Sequence, residues 1–163
     1  LTINYNTGNQ QRKTCTDMIK MYVENMNSKF DVKVRDIQWS SFIDKLIAGK
    51  FTLGFIGWRA DYPDPHNWVS PYAASDGTYG AFCGKSYKEY AEKNIDPLID
   101  KGISITNKEE RADIYKQIQQ KCMEDATMIW IYQSTDNSVY RDWVKGYYYN
   151  PCRSGEYFYA YDK

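Results

Sequence analysis

The order of strand-like and helix-like segments in the first third of the chain restricts its fold more than any other feature. "LTINYN" alternates apolar and polar residues, which predicts a strand, and "DVKVRDI" predicts a second strand. Between them lies an apolar stripe at helical spacing, which predicts a helix packed on the core. The stripe consists of Cys15, Met18, Ile19, Tyr22, Val23 and Met26. A strand, a helix and a strand in this order favour a right-handed crossover and parallel pairing.

The same alternation continues in the next two segments. "WSSFIDKLIAGK" predicts a helix that is capped by Ser40 or Ser41 and that ends at Gly49. Its predicted buried residues are Phe42, Ile43, Leu46 and Ile47. "FTLGFIG" is apolar without alternation, which is typical of a central strand. These segments predict an α/β fold, and 163 residues correspond to about one domain.

The stretch "FIGWRADYPDPHNWVSPY" follows at the carboxyl end of a predicted strand. Ligands of open α/β sheets usually bind outside such ends. Pro63 and Pro65 predict a rigid loop here that continues as neither sheet nor helix. The loop is expected to extend through "PYAASDGTYGAFCGKSY", which is rich in glycine, serine and tyrosine.

The remaining segments predict two helices, a strand and several turns. Helices are expected over "NIDPLIDKG" and over "KEERADIYKQIQQKCMED". Asn107 is the predicted cap of the second helix, and its predicted buried residues are Ala112, Tyr115, Ile118 and Cys122. "TMIWIYQ" predicts a strand, and turns are expected at Lys145-Gly146 and Asn150-Pro151.

Charge and hydropathy exclude several classes of partner. Lys+Arg and Asp+Glu number 21 each, without a block of like charge, so neither nucleic acid nor a membrane surface is an expected partner. No apolar run approaches the ~20 residues of a membrane-spanning helix. The chain starts at Leu1 inside a predicted strand and shows no signal peptide. We expect any leader or membrane anchor to lie outside this chain.

The four cysteines lack the C-x-x-C spacing of common zinc sites and allow three pairings if two disulfides form. Cys15 and Cys122 lie on predicted helix stripes, whereas Cys83 and Cys152 lie in predicted loops. Our hypothesis is a Cys83–Cys152 disulfide. Cys15 and Cys122 then form a second pair or remain buried thiols.

Catalysis is not expected from this sequence. His66 is the only histidine, and no nucleophile motif, phosphate-binding loop or dinucleotide-binding glycine pattern accompanies it. Asp61 and Asp64 resemble the paired catalytic carboxylates of glycosidases, but carboxylates around a proline more often cap turns. A single histidine beside these aspartates is also a weak metal site. The sequence therefore predicts neither an enzyme nor a cofactor.

Binding fits the same stretch better. Trp58 offers a flat apolar face, Asp61 offers a carboxylate, and Gly57 permits the close approach of a ligand backbone. A carboxylate beside an aromatic wall suits a primary ammonium group, through charge-assisted hydrogen bonds and a cation–π contact. Core packing of Trp58 and turn capping by Asp61 are the alternatives, and the sequence alone leaves them open.

Five segments, in the same order, resemble the extracellular solute-binding proteins of family 5, the capture subunits of ABC importers of the peptide, dipeptide and nickel type. They are "LTINYNTGN", "WSSFIDKLIAGKF", "GWRADYPDPHNWVSPY", "ERADIYKQIQQKCMEDATMIWIY" and "VKGYYYNP". The third resembles the family signature G-W-x-A-D-Y-x-D-P-x-N. The resemblance implies one lobe of a bilobed, type II periplasmic-binding-protein fold, with a mixed sheet and flanking helices. Residues 1–163 would form a single domain, the C-terminal ligand-binding lobe, and the other lobe is absent from this chain.

The resemblance also implies a function and a set of ligand-binding residues. A lobe of this kind closes on a peptide or another small solute and delivers it to ABC permease subunits, outside the cytoplasm. In peptide-binding members the signature aspartate, here Asp61, takes the ligand's α-amino group. Phe55 stands where some members have an arginine, and Arg59 stands where a small residue is usual. The implied ligand-binding residues are Asp61, Trp58, Gly57, Arg59, Phe55 and Tyr62. A monomer is expected, tied to the membrane only through a lipoprotein anchor outside this chain.

Two other functions remain open at this point. A lobe of the same family could bind an oligosaccharide or a nickel chelate, with Tyr72, Tyr79 and the stretch "GYYYNPCRSGEYFYAY" stacking on sugar rings. A different class would be a free-standing carbohydrate-binding or adhesion module. The two long amphipathic helices argue against the usual all-β form of such a module.

Overall fold

The structure, a computed structural model, describes residues 1–135, 137–147 and 149. The chain divides into two compact units, Leu1–Trp58 and Arg59–Lys163. The first unit contains the predicted α/β alternation, and the second is helical in its described part.

The first unit is built on a parallel sheet of three short strands. They are β1 (Thr2–Asn6), β2 (Lys33–Ile37) and β3 (Leu53–Gly54). Their order is β2-β1-β3. The β1–β2 pair is parallel, as the crossover argument predicted, and the β1–β3 pair is parallel as well. Ile3 and Tyr5 are buried, and β1 is the central strand.

The prediction of a central strand over "FTLGFIG" is wrong for the described sheet. β3 has only two residues and lies at the edge of the three strands. The apolar character of this segment serves helix packing instead. The ring of Phe51 lies 4.9 Å from the ring of the fully buried Phe42, measured between centroids.

Two helices accompany this sheet, α1 (Gln10–Met26) and α2 (Trp39–Ile47). The side chain of Asn9 caps α1 by accepting a hydrogen bond from the N–H of Arg12. The predicted stripe of α1 is only half right: Thr16 is its buried residue, while three stripe residues are exposed. They are Met18, Tyr22 and Met26. The buried face is thus centred one position beyond Cys15.

The predicted cap of α2 is also wrong. The helix begins at Trp39, so Ser40 and Ser41 lie inside its first turn and Gln38 is the N-cap without a side-chain bond. The predicted end is confirmed, because Gly49 has a φ of 61°, a left-handed conformation that favours glycine.

The second unit contains four α-helices and one short 3₁₀ helix. The α-helices are α3 (Pro65–Ala73), α4 (Lys85–Asn94), α5 (Asp96–Ser104) and α6 (Lys108–Asp125); the 3₁₀ helix is Gly80–Cys83. Their buried side chains form one apolar core. It contains Val69, Ala73, Ala74, Tyr87, Ala91, Ile95, Ile99, Ile114, Tyr115 and Ile118.

Two helices of this unit contradict the predicted loop. Pro65 starts α3 at a position where the missing N–H and the fixed φ of proline favour a helix. Pro71 lies inside the same helix. α4 begins in the last three residues of the predicted loop and continues through residues 88–93, for which no element was predicted; it buries Tyr87 and Ala91 four residues apart. A helix that buries so few large aliphatic residues gives a weak periodic signal.

The helix capped by Asn107 is confirmed. The Asn107 side chain accepts hydrogen bonds from the N–H groups of Glu109 and Glu110, at 3.0 and 3.1 Å. α6 buries Tyr115 and Ile118 as expected, but Ala112 is exposed and Ile114 is buried in its place.

The predicted strand over residues 127–133 is not formed among the described residues. Ile129 is 69% exposed. A strand requires a neighbour that pairs with its backbone, and no described strand does so here. The turn at Lys145-Gly146 is supported by the φ of 74° at Gly146, whereas the Asn150-Pro151 turn lies outside the described residues.

The cysteine hypothesis is tested only in part. Cys15, Cys83 and Cys122 form no disulfide with one another, and Cys152 lies outside the described residues. Cys83 and Cys122 pack against the core of the second unit, and burial raises the pKa of both thiols. In the described part of the chain, no helix is both long enough and apolar enough to span a bilayer.

Candidate functional site

The loop that carries Asp61 is fastened to the start of α3. The backbone N–H of Asp61 donates a 2.9 Å hydrogen bond to Oδ1 of Asn67. The Nδ2 group of Asn67 lies 3.5 Å from Oδ2 of Asp61 and donates toward it. Asn67 is buried, at 7% exposure, whereas Asp61 is exposed to solvent. The carboxylate is therefore reachable from solvent while its backbone is fixed.

Local sequence explains why α3 begins where it does. Asp64 is the N-cap, and its Oδ1 accepts a 2.8 Å hydrogen bond from the N–H of His66. The N–H of Asn67 then donates to the carbonyl of Asp64 at 3.1 Å. This first turn places Asn67 at the third helical position.

Arg111 of α6 holds the same helix start from the other side. Its guanidinium donates to both carboxylate oxygens of Asp64, at 2.9 and 2.8 Å, and through Nε to the carbonyl of Gly102 at 2.8 Å. It also lies over the ring of Tyr115, 4.9 Å from the ring centroid. Forked pairs of this kind define orientation as well as distance. Asp64 thus caps the start of α3 and is held there by Arg111.

The ion pair shifts the pKa of both partners in the direction that favours their charged forms. Hydrogen bonding from Arg111 lowers the pKa of the Asp64 carboxyl below its usual 3.8, against a smaller opposing effect of burial. The hydrogen bond to Asp64 in turn raises the pKa of Arg111. The pair is therefore fully charged at neutral pH.

The other predicted site residues divide between the two units. In the second unit Arg59 is exposed and Tyr62 is 44% exposed. In the first unit Gly57 is exposed, while Trp58 and Phe55 are half-buried. The structure thus leaves part of each of these residues accessible.

Arg12 of α1 organises the end of β3 within the first unit. Its guanidinium donates to Oδ1 of Asn6 at 2.8 Å and to the carbonyl of Phe55 at 3.3 Å. A Cβ atom at Gly57 would lie 3.3 Å from a guanidinium nitrogen of Arg12. A side chain at position 57 would therefore crowd Arg12, so glycine suits this position.

Within their own units, three residues that position predicted site residues carried no predicted role: Asn67 and Arg111 in the second unit, and Arg12 in the first. The signal for Asn67 was its place three residues after a helix-capping aspartate, once Pro65 is recognised as a helix start. Arg111 and Arg12 act through contacts distant in sequence, which periodicity does not reveal.

His66 lies at the start of α3, where its backbone N–H is bonded to Asp64. Its Nδ1 atom is buried and has no hydrogen-bond partner among the described residues. No group of three or more His, Cys, Asp or Glu residues in the described part of the chain is arranged to hold a metal ion.

Several known proteins resemble this chain in sequence. No family model matches the chain. Heme-binding protein A of Haemophilus influenzae is 30% identical over 126 residues, which are 76% of this chain and 22% of that protein. Di/tripeptide-binding protein 4 of Pseudomonas aeruginosa is 27% identical over 124 residues, 76% of this chain and 23% of that protein.

The fold is also found among solved structures. A periplasmic oligopeptide-binding protein of an oligopeptide ABC transporter from Borrelia burgdorferi matches with a TM-score of 0.60 and 25% identity, over 76% of this chain and 23% of that one. This chain therefore spans about a quarter of the length of the relatives that it matches. These relatives are named as binding proteins. They are solute-binding proteins of family 5, and this chain resembles that family in both sequence and fold.

Proposed function

We propose that this chain is a ligand-binding lobe of an ABC importer's solute-binding protein, and that it captures a short peptide through the peptide's amino group. The observation that carries the proposal is the exposed Asp61 carboxylate, whose backbone is fixed by the buried Asn67. The names of relatives that bind di- and tripeptides or oligopeptides support the same ligand class.

The chemistry of the capture follows from the carboxylate. A ligand ammonium group donates to Asp61, and the hydrogen bond is charge-assisted on both sides. Such bonds contribute about 1.5–3 kcal/mol each, which is roughly tenfold or more in affinity. No covalent step is involved, and we propose binding rather than catalysis.

The remaining site residues take supporting roles in this proposal. Trp58 supplies an apolar wall, and Tyr62 and Phe55 add contact area. The backbone around Gly57 and Arg59 pairs with an extended peptide, as an added strand pairs with a sheet edge. The half-exposed state of Trp58 and Phe55 is compatible with these roles.

The other parts of the importer are proposed on the basis of the relatives. A second lobe closes over the ligand, permease subunits receive it, and capture takes place outside the cytoplasm, as for relatives named as periplasmic binding proteins. A lipoprotein anchor and a monomeric state remain part of the proposal.

Sugar binding is less well supported than peptide binding. Tyr72 and Tyr79, two of the residues expected to stack on sugars, lie 5.0 Å apart between ring centroids, with their ring planes tilted by 37°. The tyrosine-rich stretch at residues 146–161 lies largely outside the described residues. Tyr72 also meets Trp130 edge-on at 5.3 Å. Ring faces engaged in such pairs are less available for a sugar.

Native mass spectrometry of the full-length protein, as purified, tests the ligand class. We expect a bound species that is released on denaturation and that fragments as a peptide. A released oligosaccharide or metal chelate would contradict the peptide proposal and favour the second ligand class of the same family.

A further inference from the structure

We propose that Asn67 is the positioning residue of the binding site, and that its amide aims the Asp61 carboxylate at the ligand's amino group. The inference rests on the peptide-binding function proposed above and adds to it the residue that sets the strength of amine recognition.

Both ends of the Asn67 side-chain amide contact the same residue, Asp61. Its Oδ1 accepts from the backbone N–H of Asp61 at 2.9 Å, and its Nδ2 donates toward the side-chain Oδ2 at 3.5 Å. The two contacts close a ring between residues six positions apart. A ring of this kind limits rotation of the aspartate relative to its own backbone.

Because Asn67 is buried, an amide without this contact would raise the free energy of the folded protein. At 7% exposure, its amide has little access to water, and buried polar groups require partners. Asp61 is the opposite case, because its side chain is exposed and no donor among the described residues contacts its Oδ1 atom. The Oδ2 atom of Asp61 is thus contacted by the protein, and its Oδ1 atom is accessible to a ligand.

The 3.5 Å contact is longer than a typical hydrogen bond, so the Asn67 amide limits the direction of the Asp61 carboxylate more than it satisfies its charge. A carboxylate that is already confined to one direction loses less freedom on binding, so more of the interaction energy appears as affinity.

Asn67 is itself held by the helix framework. It occupies the first turn of α3, where its N–H donates a hydrogen bond to the carbonyl of Asp64. The carboxylate of Asp64 in turn accepts two hydrogen bonds from Arg111 of α6. The direction of the Asp61 carboxylate is therefore set from the first turn of α3 and not only by the loop in which Asp61 lies.

Calorimetry with two matched tripeptides tests the inference in the full-length protein. The probes are trialanine and propanoyl-Ala-Ala, which differs from it only in lacking the amino group. We expect the wild-type protein to prefer trialanine by at least about tenfold. In Asn67→Ala this preference should shrink by about fivefold or more, because the carboxylate is no longer aimed.

Asn94→Ala is the matched control. The Asn94 amide donates to the carbonyl of Tyr90 within α4, so this variant loses an asparagine hydrogen bond elsewhere in the unit and should keep the wild-type preference. If Asn67→Ala weakened both peptides equally and kept the wild-type ratio, Asn67 would be merely structural and the inference would be overturned. A wild-type protein that does not prefer trialanine would overturn the amine-capture proposal itself, and with it the inference.

Discussion

At the scale of single residues, polar contacts that sequence periodicity does not reveal hold the candidate site in place. The sequence singles out Asp61 and Asp64 as a pair of carboxylates, and the structure separates them into an exposed group and a helix cap. Their difference depends on Pro65 starting a helix and on Arg111, which lies 47 residues away from Asp64. Because Pro65 was predicted to prevent a helix, the roles of Asn67 and Arg111 could not be predicted.

The Asp64–Arg111 pair should make stability depend on pH. Asp64→Asn keeps the cap but removes the charge, so we expect it to lower the free energy of unfolding by about 1–2 kcal/mol at pH 7. Because pairing lowers the pKa of Asp64, the stabilisation is present above the unfolded-state value of 3.8 and is lost as pH falls through the lower folded-state value. Urea unfolding of both proteins from pH 7 to pH 3 measures the difference.

Asp113→Asn is the control for this prediction. Asp113 pairs with Lys116 at 3.1 Å on the surface, where both side chains are more than two-thirds exposed. Exposed pairs contribute little, so this variant should differ from the wild type by less than about 0.5 kcal/mol. An Asp64→Asn deficit that stays constant down to pH 3 would show that the charge is not its cause.

At the scale of helices and strands, periodicity predicts long segments well and short ones poorly. α1 and α6 were both predicted, α6 together with its cap Asn107, because each helix has many turns. β3 was misplaced because two residues carry no period, and α4 was missed because it buries a tyrosine and an alanine. The apolar run at 127–133 satisfies every local rule for a strand, but a strand also needs a partner.

The end of α6 offers a test of local backbone strain. Ala126 caps the helix in the left-handed conformation, at φ 49° and ψ 32°, which is unfavourable for a residue with a side chain. Ala126→Gly should therefore raise the free energy of unfolding by about 0.5–1 kcal/mol. Ala112→Gly, at an exposed position inside the same helix, should lower it by about 1 kcal/mol. Thermal unfolding of the two variants measures both effects, and a shift of the same sign in both would contradict the strain argument.

At the scale of the whole molecule, the resemblance of five short segments to family 5 is confirmed by relatives that span 76–90% of this chain. Periodicity alone reached an α/β fold, whereas the family was indicated by the signature residues around Trp58 and Asp61. Neither identifies the ligand, because specificity depends on the few side chains that meet it and on parts of the relatives that this chain does not match.

The most direct test of amine capture is calorimetry of Asp61→Asn in the full-length protein. Asparagine keeps the size of the side chain and removes its charge, so affinity for trialanine should fall at least about tenfold while affinity for propanoyl-Ala-Ala stays the same. Equal affinity of the variant and the wild-type protein for trialanine would contradict the role of Asp61 as the amine anchor.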